Sequence, residues 1–168
     1  MGSIRAVVLA DTHLVEGRVL GRDLRSEVWE MIEASDLVLH AGDVVDSGTL
    51  ERLRQFAPTY AVLGNNDVGL ADQLPETLTM DLAGVNVAMV HDSGPRSGRP
   101  RRLRRRFPGA DVVVFGHSHI PCDEIGLEGQ LLFNPGSPTT RRSQPCCTVG
   151  RLVLMDGRIA EHRIIELS

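Results

Sequence analysis

Five short apolar runs in this chain stop on a glycine, aspartate or histidine, and that punctuation constrains the fold more than any other feature. Ile4–Ala10, broken only by Arg5, ends at Asp11-Thr12-His13, and Leu37–His40 leads into Ala41-Gly42-Asp43. Thr59–Leu63 runs into Gly64-Asn65-Asn66-Asp67, Val85–Val90 into His91-Asp92, and Asp111–Phe115 into Gly116-His117-Ser118-His119. Short runs rich in β-branched residues read as buried strands. Between the first three lie segments of helical spacing: Val19–Ala34, with Val19, Leu20, Leu24, Val28, Met31 and Ile32 on one face, and Thr49–Phe56. Strand alternating with helix implies parallel strands joined by right-handed crossovers, an α/β fold. In such sheets ligands bind outside the carboxyl ends of the strands, where these polar clusters fall.

The second half is richer in strand. Thr77–Leu82 and Val85–Val90 flank Ala83-Gly84 as a hairpin, and Thr148–Met155 and Arg158–Ile165 meet at Asp156-Gly157, a strong turn signal. Asp123–Gly126 and Gln130–Phe133 read as two further short strands. Arg96–Arg106 holds seven arginines, and the stretch RPRRLRRRFPGA from Arg99 predicts a short basic helix stopped by Pro108 and Gly109. Aromatic residues are only 4% of the 168, so Val, Leu, Ile and Ala must build the core. The length suits one domain spanning 1–168.

A net charge of -4 argues against a general polyanion binder, and the basic run lacks the interleaved aromatics of a nucleic-acid platform. The cysteines Cys122, Cys146 and Cys147 are odd in number and two are adjacent, which does not suggest a disulfide framework and points to a reducing cytoplasm. There is no signal-peptide h-region and no run of about 18 apolar residues, so no membrane partner is expected. A homo-oligomer is left open.

Each polar cluster alone is explained by a turn or a hydrogen-bonded histidine. Five in succession at strand ends, carrying four of the six histidines, point instead to a metal site. His117 with His119, and Asp11 with His13, stand two residues apart, which in extended chain puts both side chains on one side. Imidazole, carboxylate and carboxamide without thiolate favour Mn, Fe, Zn, Ni or Co over a Cys-rich structural zinc. His40 and His162 are read as packing and strand-face residues.

The series Asp11-Thr12-His13, Gly42-Asp43, Gly64-Asn65-Asn66-Asp67, His91 and Gly116-His117-Ser118-His119, followed by Asn134–Pro138 (NPGSP), resembles the calcineurin-like metallophosphoesterases. It is most similar to their small single-domain prokaryotic phosphodiesterase branch, related to the retromer scaffold subunit. The resemblance spans nearly the whole chain. It implies a four-layer α/β/β/α sandwich with two divalent transition-metal ions, manganese first among the candidates, at the strand ends. By motif, Asp11, His13 and His119 would hold one ion and Asn65, His91 and His117 the other, with Asp43 bridging. The implied reaction is in-line attack of a bridging hydroxide on a small phosphate diester, possible nucleotides included. Asp67, Asp46 and Asp92 are candidates for orienting ligands.

Two positions depart from the family pattern. Relatives often read Gly-Asn-His where this chain has Asn66, whose amide can hydrogen-bond a phosphate oxygen but supplies no proton near neutral pH. Relatives often have His-Gly-His where this chain has His91-Asp92-Ser93, leaving Ser93 as a candidate substrate contact. Arg141 and Arg142, just after NPGSP, are candidates to reach a phosphate. The Arg96–Arg106 run is either a solvated helix face or a basic rim. The presumed ligand set favours an enzyme; a catalytically weak scaffold is the alternative, and a nuclease a more distant one.

Overall fold

A computed structural model describes residues 2–15 and 23–168. Strand β1 (Ile4–Leu9) leads to helix α1 (Ser26–Glu33), β2 (Leu37–His40), α2 (Ser47–Phe56) and β3 (Thr59–Ala61). Then come the hairpin β4 (Thr77–Leu82) and β5 (Val85–Val90), helix α3 (Arg99–Arg106) and strands β6 (Val112–Val114), β7 (Cys122–Ile125), β8 (Leu131–Asn134), β9 (Thr148–Met155) and β10 (Arg158–Glu166). Single 3-10 turns at Val68–Leu70 and Leu127–Gly129 carry no apolar period and were not expected.

The strands form two five-stranded sheets, in the orders β10-β9-β1-β2-β3 and β4-β5-β6-β8-β7. Each sheet has three parallel strands, β1-β2-β3 and β5-β6-β8, flanked by antiparallel ones. The side-chain period of two sorts each apolar run onto two buried faces. Ala6, Val8 and Ala10 of the first sheet meet Val112, Val114 and Phe133 of the second in a core between the sheets. Val7 and Leu9 point the other way, against Val28 and Ile32 of α1 and Leu53 of α2. Val113 and Phe115 likewise face Leu103 and Phe107 on the α3 side. The result is the four-layer α/β/β/α sandwich, and it explains why these strands read as unbroken apolar runs rather than alternating ones.

Helix α1 is shorter than its periodicity suggested. Positions 19–22 of the expected helix lie outside the described residues, and Asp23, Leu24 and Arg25 are not helical. The Asp23 carboxylate accepts from its neighbour Leu24 N–H at 2.7 Å and from Arg52 at 3.0 Å, while Leu24 still packs into the α1 core. A local side-chain bond of this kind competes with helix. Strand β3 also ends early, because Leu63 N–H turns away to the Pro75 carbonyl.

The arginines around α3 are largely occupied in their own neighbourhood. Arg104 pairs with Glu128 and Arg96 with Glu124; Arg99 and Arg106 lie over Phe115 and Phe107; Arg102 donates to the Ser93, Pro95 and Ser97 carbonyls. The three cysteines are free thiols. Among the described residues no helix is long and apolar enough to cross a membrane.

Candidate metal centre

The parallel strands of both sheets end on the same side of the sandwich, and their polar clusters converge there. The convergence is not the strand geometry expected from i, i+2 spacing. Asp11, His13, Asp43, His117 and His119 all lie past the strand ends with φ of 54°, 46°, 59°, 70° and 61°. Left-handed backbone at non-glycine residues is costly, and five such positions among seven candidate ligands mark a held arrangement of the kind that gathers at functional sites.

His119 Nε2 lies 3.7 Å from Asp11 Oδ1 and His13 Nε2 3.9 Å from the same oxygen, with the two imidazoles stacked 5.3 Å apart. Asn65 Oδ1 lies 2.9 Å from His91 Nε2 and 3.0 Å from His117 Nδ1. Asp43 Oδ2 stands between the two sets, 3.5 Å from both His13 and His91 Nε2. Asp11 is also central, since its Oδ1 is 3.9 Å from His91 as well. The structure thus brings all seven candidate ligands together, and His117 and His119 face different sets although only Ser118 separates them. Asp11, Asp43, His91 and His119 are buried, whereas Asn65, Asn66 and His117 are exposed and form the open side.

Their surroundings present lone pairs to the centre. A carbonyl can only accept, so His91 Nδ1–H donates to Ala41 O at 2.7 Å and His119 Nδ1–H to Thr140 O at 2.6 Å, which turns each Nε2 inward. Both Asp11 carboxylate oxygens and the Nε2 atoms of His13 and His119 are buried without a hydrogen-bond partner. Leaving such atoms unpaired is expensive, and a cation satisfies all of them at once. Asp11 with His13 and His119, and Asp11 with Asp43 and His91, each place one ligand atom per residue within 4.8 Å of the others.

The proton affinities follow from the same packing. Burial raises Asp11 to about 7, partly offset by the charge of His91 and reinforced by that of Asp43. Burial also works to raise Asp43, but hydrogen bonds from His91 and from the Asn66 backbone and side chain prevail and hold it well below the usual carboxylate range. Burial lowers His13 and His119. Burial opposes the charge on His91 too, yet its bonds to Asp43 and Ala41 raise it. Metal and protons therefore compete for this cluster.

Residues that bear no ligand role from sequence hold the loops. Asp67 accepts from the N–H groups of Asp43 at 2.9 Å, Gly64 at 2.7 Å and Val45 at 2.7 Å. Asp46 caps α2 through Thr49 N–H, and Asp92 accepts from Gly94 N–H. His40 is fully buried: Gly42 N–H donates to its Nδ1, so Nε2–H donates to Thr12 Oγ1 at 3.0 Å. In and just after the NPGSP stretch, Ser137 Oγ donates to Asp11 O, Thr139 Oγ1 to Thr12 O, and Asn134 Nδ2 to Gly116 O, tying this segment to two site loops. Gly64 permits the approach of its neighbour; a Cβ there would sit 2.2 Å from Asp43 N and Oδ1.

The substrate-side residues are less uniform. Asn66 Nδ2 donates to Asp43 Oδ2 at 2.7 Å. Ser93 is buried, with its hydroxyl on the Gly94 carbonyl at 3.4 Å. Arg141 folds back to Gln144 O at 2.7 Å, while Arg142 is the arginine whose Nη1 reaches the His117 carbonyl, at 3.4 Å. Adjacent arginines of identical chemistry differ only in which way the loop turns, and no sequence signal separates them.

A buried cluster of carboxylates and imidazoles at the strand ends of an α/β/β/α sandwich defines a metal-binding hydrolase site. The calcineurin-like phosphoesterase superfamily domain matches residues 4–157, and the chain belongs to that family of metallophosphoesterases. A Methanocaldococcus jannaschii protein named a probable metallophosphoesterase is 33% identical over 148 residues, covering 84% of this chain and 71% of the relative. The crystal structure of Chaetomium thermophilum Vps29 superposes with a TM-score of 0.74 at 16% identity, covering 96% of this chain and 95% of that one. A structure described as a novel archaeal phosphodiesterase gives a TM-score of 0.67 at 19% identity, covering 98% and 100%. The family binds divalent metals, and this chain is a phosphoesterase with candidate residues to hold them.

Proposed function

We propose that the chain is a metal-dependent phosphodiesterase that uses two divalent ions, with manganese the first candidate. The observation that carries this reading is the set of buried, unpartnered lone pairs on Asp11, His13 and His119, joined through Asp43 to a second set at Asn65, His91 and His117. When bound, the ions would supply a nucleophilic water at neutral pH and neutralise charge on the phosphoryl oxygens. Asp43 would serve both sets, kept anionic by the Asn66 donors and aimed by the Asp67 grip on its own N–H. Asn65 adds a donor oxygen without adding charge. The exposed side, formed by Asn65, Asn66 and His117, is where a phosphate ester would enter.

Asn66 has no proton to give, so the leaving oxygen departs without a general acid from that position. A general acid is typically worth about 10²–10⁴-fold, which restricts good turnover to diesters with stable leaving groups. Likeness to the archaeal phosphodiesterase supports diesters over monoesters as substrates. A cytoplasmic setting fits the free thiols.

The test is a panel of phosphate diesters and monoesters run with Mn, Ni, Fe, Zn and Co in turn, with metal content measured on the same protein. We expect two ions per chain and hydrolysis of activated diesters, abolished by Asp43→Ala and by His117→Ala. Full activity in either variant would sink the mechanism. A metal-loaded chain inert across the panel would favour a scaffold role instead.

A further inference from the structure

The loop that follows Asn134–Pro138 opens on a cavity of about 490 Å³ that the metal centre itself does not use. Arg25, Arg141 and Arg142 line it with Thr139 and Thr140, and no carboxylate is among its described lining residues. The wall is shared with the candidate centre: Thr140 O receives His119 Nδ1–H, and Arg142 Nη1 reaches the carbonyl of His117. The Arg142 charge is felt by Asp11, His13 and His119. Arg142 is held with φ of 51°, so its direction is imposed by the loop. Arg141 commits a donor to Gln144 O, and Arg25 contacts Ser168 O and lies 3.8 Å from Glu27. A guanidinium has five N–H donors, which leaves each fork with capacity for an oxyanion.

We propose that this cavity is a second anion subsite, and that the preferred substrate carries a further phosphate group beyond the diester that is cleaved. The proposal rests on the phosphodiesterase reading and specifies its substrate class. Arginine forks match phosphate oxygens in geometry as well as in charge. A concave wall with one sign of charge concentrates anions. No aromatic residue is among the described lining residues to stack on a base, and the three arginines are the charged groups there.

The test is calorimetric binding to the manganese-loaded protein of two probes that differ by one phosphate, thymidine 5′-phosphate and thymidine 3′,5′-bisphosphate, with inorganic phosphate as competitor. The bisphosphate is expected to bind at least about tenfold more tightly, a preference that the paired substitutions Arg25→Met and Arg141→Met reduce to near unity. Should that double variant fail to melt cooperatively, Arg141→Met alone gives the same readout. Equal affinities in the unmodified protein, or a preference retained in the variants, would overturn the subsite. If inorganic phosphate alone abolishes the preference at equimolar concentration, the cavity is a free-phosphate site and the substrate assignment is overturned. Thymidine 5′-(p-nitrophenyl phosphate) is assayed in parallel: no hydrolysis of it with any metal would count against the phosphodiesterase reading, and the binding comparison would still decide the subsite.

Discussion

His91 Nε2 faces Asn65 Oδ1 at 2.9 Å while its other ring nitrogen is taken by the Ala41 carbonyl at 2.7 Å. With a proton on each nitrogen the contact is an ordinary hydrogen bond. With the Nε2 proton gone, two acceptors are left pointing at one space. A cation resolves that conflict, and its binding releases the proton. His91→Ala should therefore lower bound metal by about one ion per chain and reduce diester hydrolysis at least about 100-fold. Elemental analysis after dialysis, alongside a rate assay, checks both.

Asp67 holds three backbone N–H groups around Asp43 with its two carboxylate oxygens. Asp67→Asn replaces one acceptor oxygen by a donor that faces those N–H groups. It should cost about 1–3 kcal/mol in urea unfolding and weaken metal affinity about 10–100-fold. Metal titration of a variant that still unfolds cooperatively separates the second effect from the first.

His40 is buried and its pKa is pushed down from 6.5 to about 3, chiefly by loss of solvent. The folded chain keeps it neutral, while the unfolded chain protonates it below pH 6.5. Its contribution to stability is thus complete above that pH and is lost as pH falls toward 3, at up to about 1.4 kcal/mol per pH unit. Unfolding curves of the metal-free protein and of His40→Gln between pH 7 and 4 should differ in slope in that sense. Parallel curves would refute it.

Asn66→His restores a titratable group at the position where relatives often have one. The gain should depend on the substrate: little for nitrophenyl diesters, about tenfold or more for alkyl leaving groups that need a proton. Rates across a series of leaving-group pKa values test this, and a uniform change across the series would exclude a proton-donor role.

The central strands β1, β2 and β6 were legible because burial on two faces leaves little room for polar residues. Each of the five runs that stops at a cluster contains a strand, and none of these strands extends beyond its run. The start of α1 was less legible, because Asp23 satisfies a backbone N–H locally and the apolar period at Leu24 does not register that. Arg141 and Arg142 look equivalent in the sequence, and the turn of the loop decides that Arg142 faces the centre. Asp67 shares with Asp46 and Asp92 the sequence reading of a ligand-orienting acid, and the tertiary structure separates them: Asp67 grips three N–H groups around Asp43, whereas Asp46 caps α2 and Asp92 accepts from Gly94.

The sequence by itself determined the sheet-forming runs, the order of the polar clusters and the chemical kind of their donors, because these depend on residue type and local spacing. Only the tertiary structure decided which donors share a set. Asp11 and His119 are distant in the chain, and the left-handed loops that point them inward are stabilised by contacts from other loops: Ser137 to Asp11, Asp67 to Asp43 and Thr140 to His119. The backbone strain at those residues is sustained only when the surrounding packing over-determines it, and that packing is a property of the assembled sandwich.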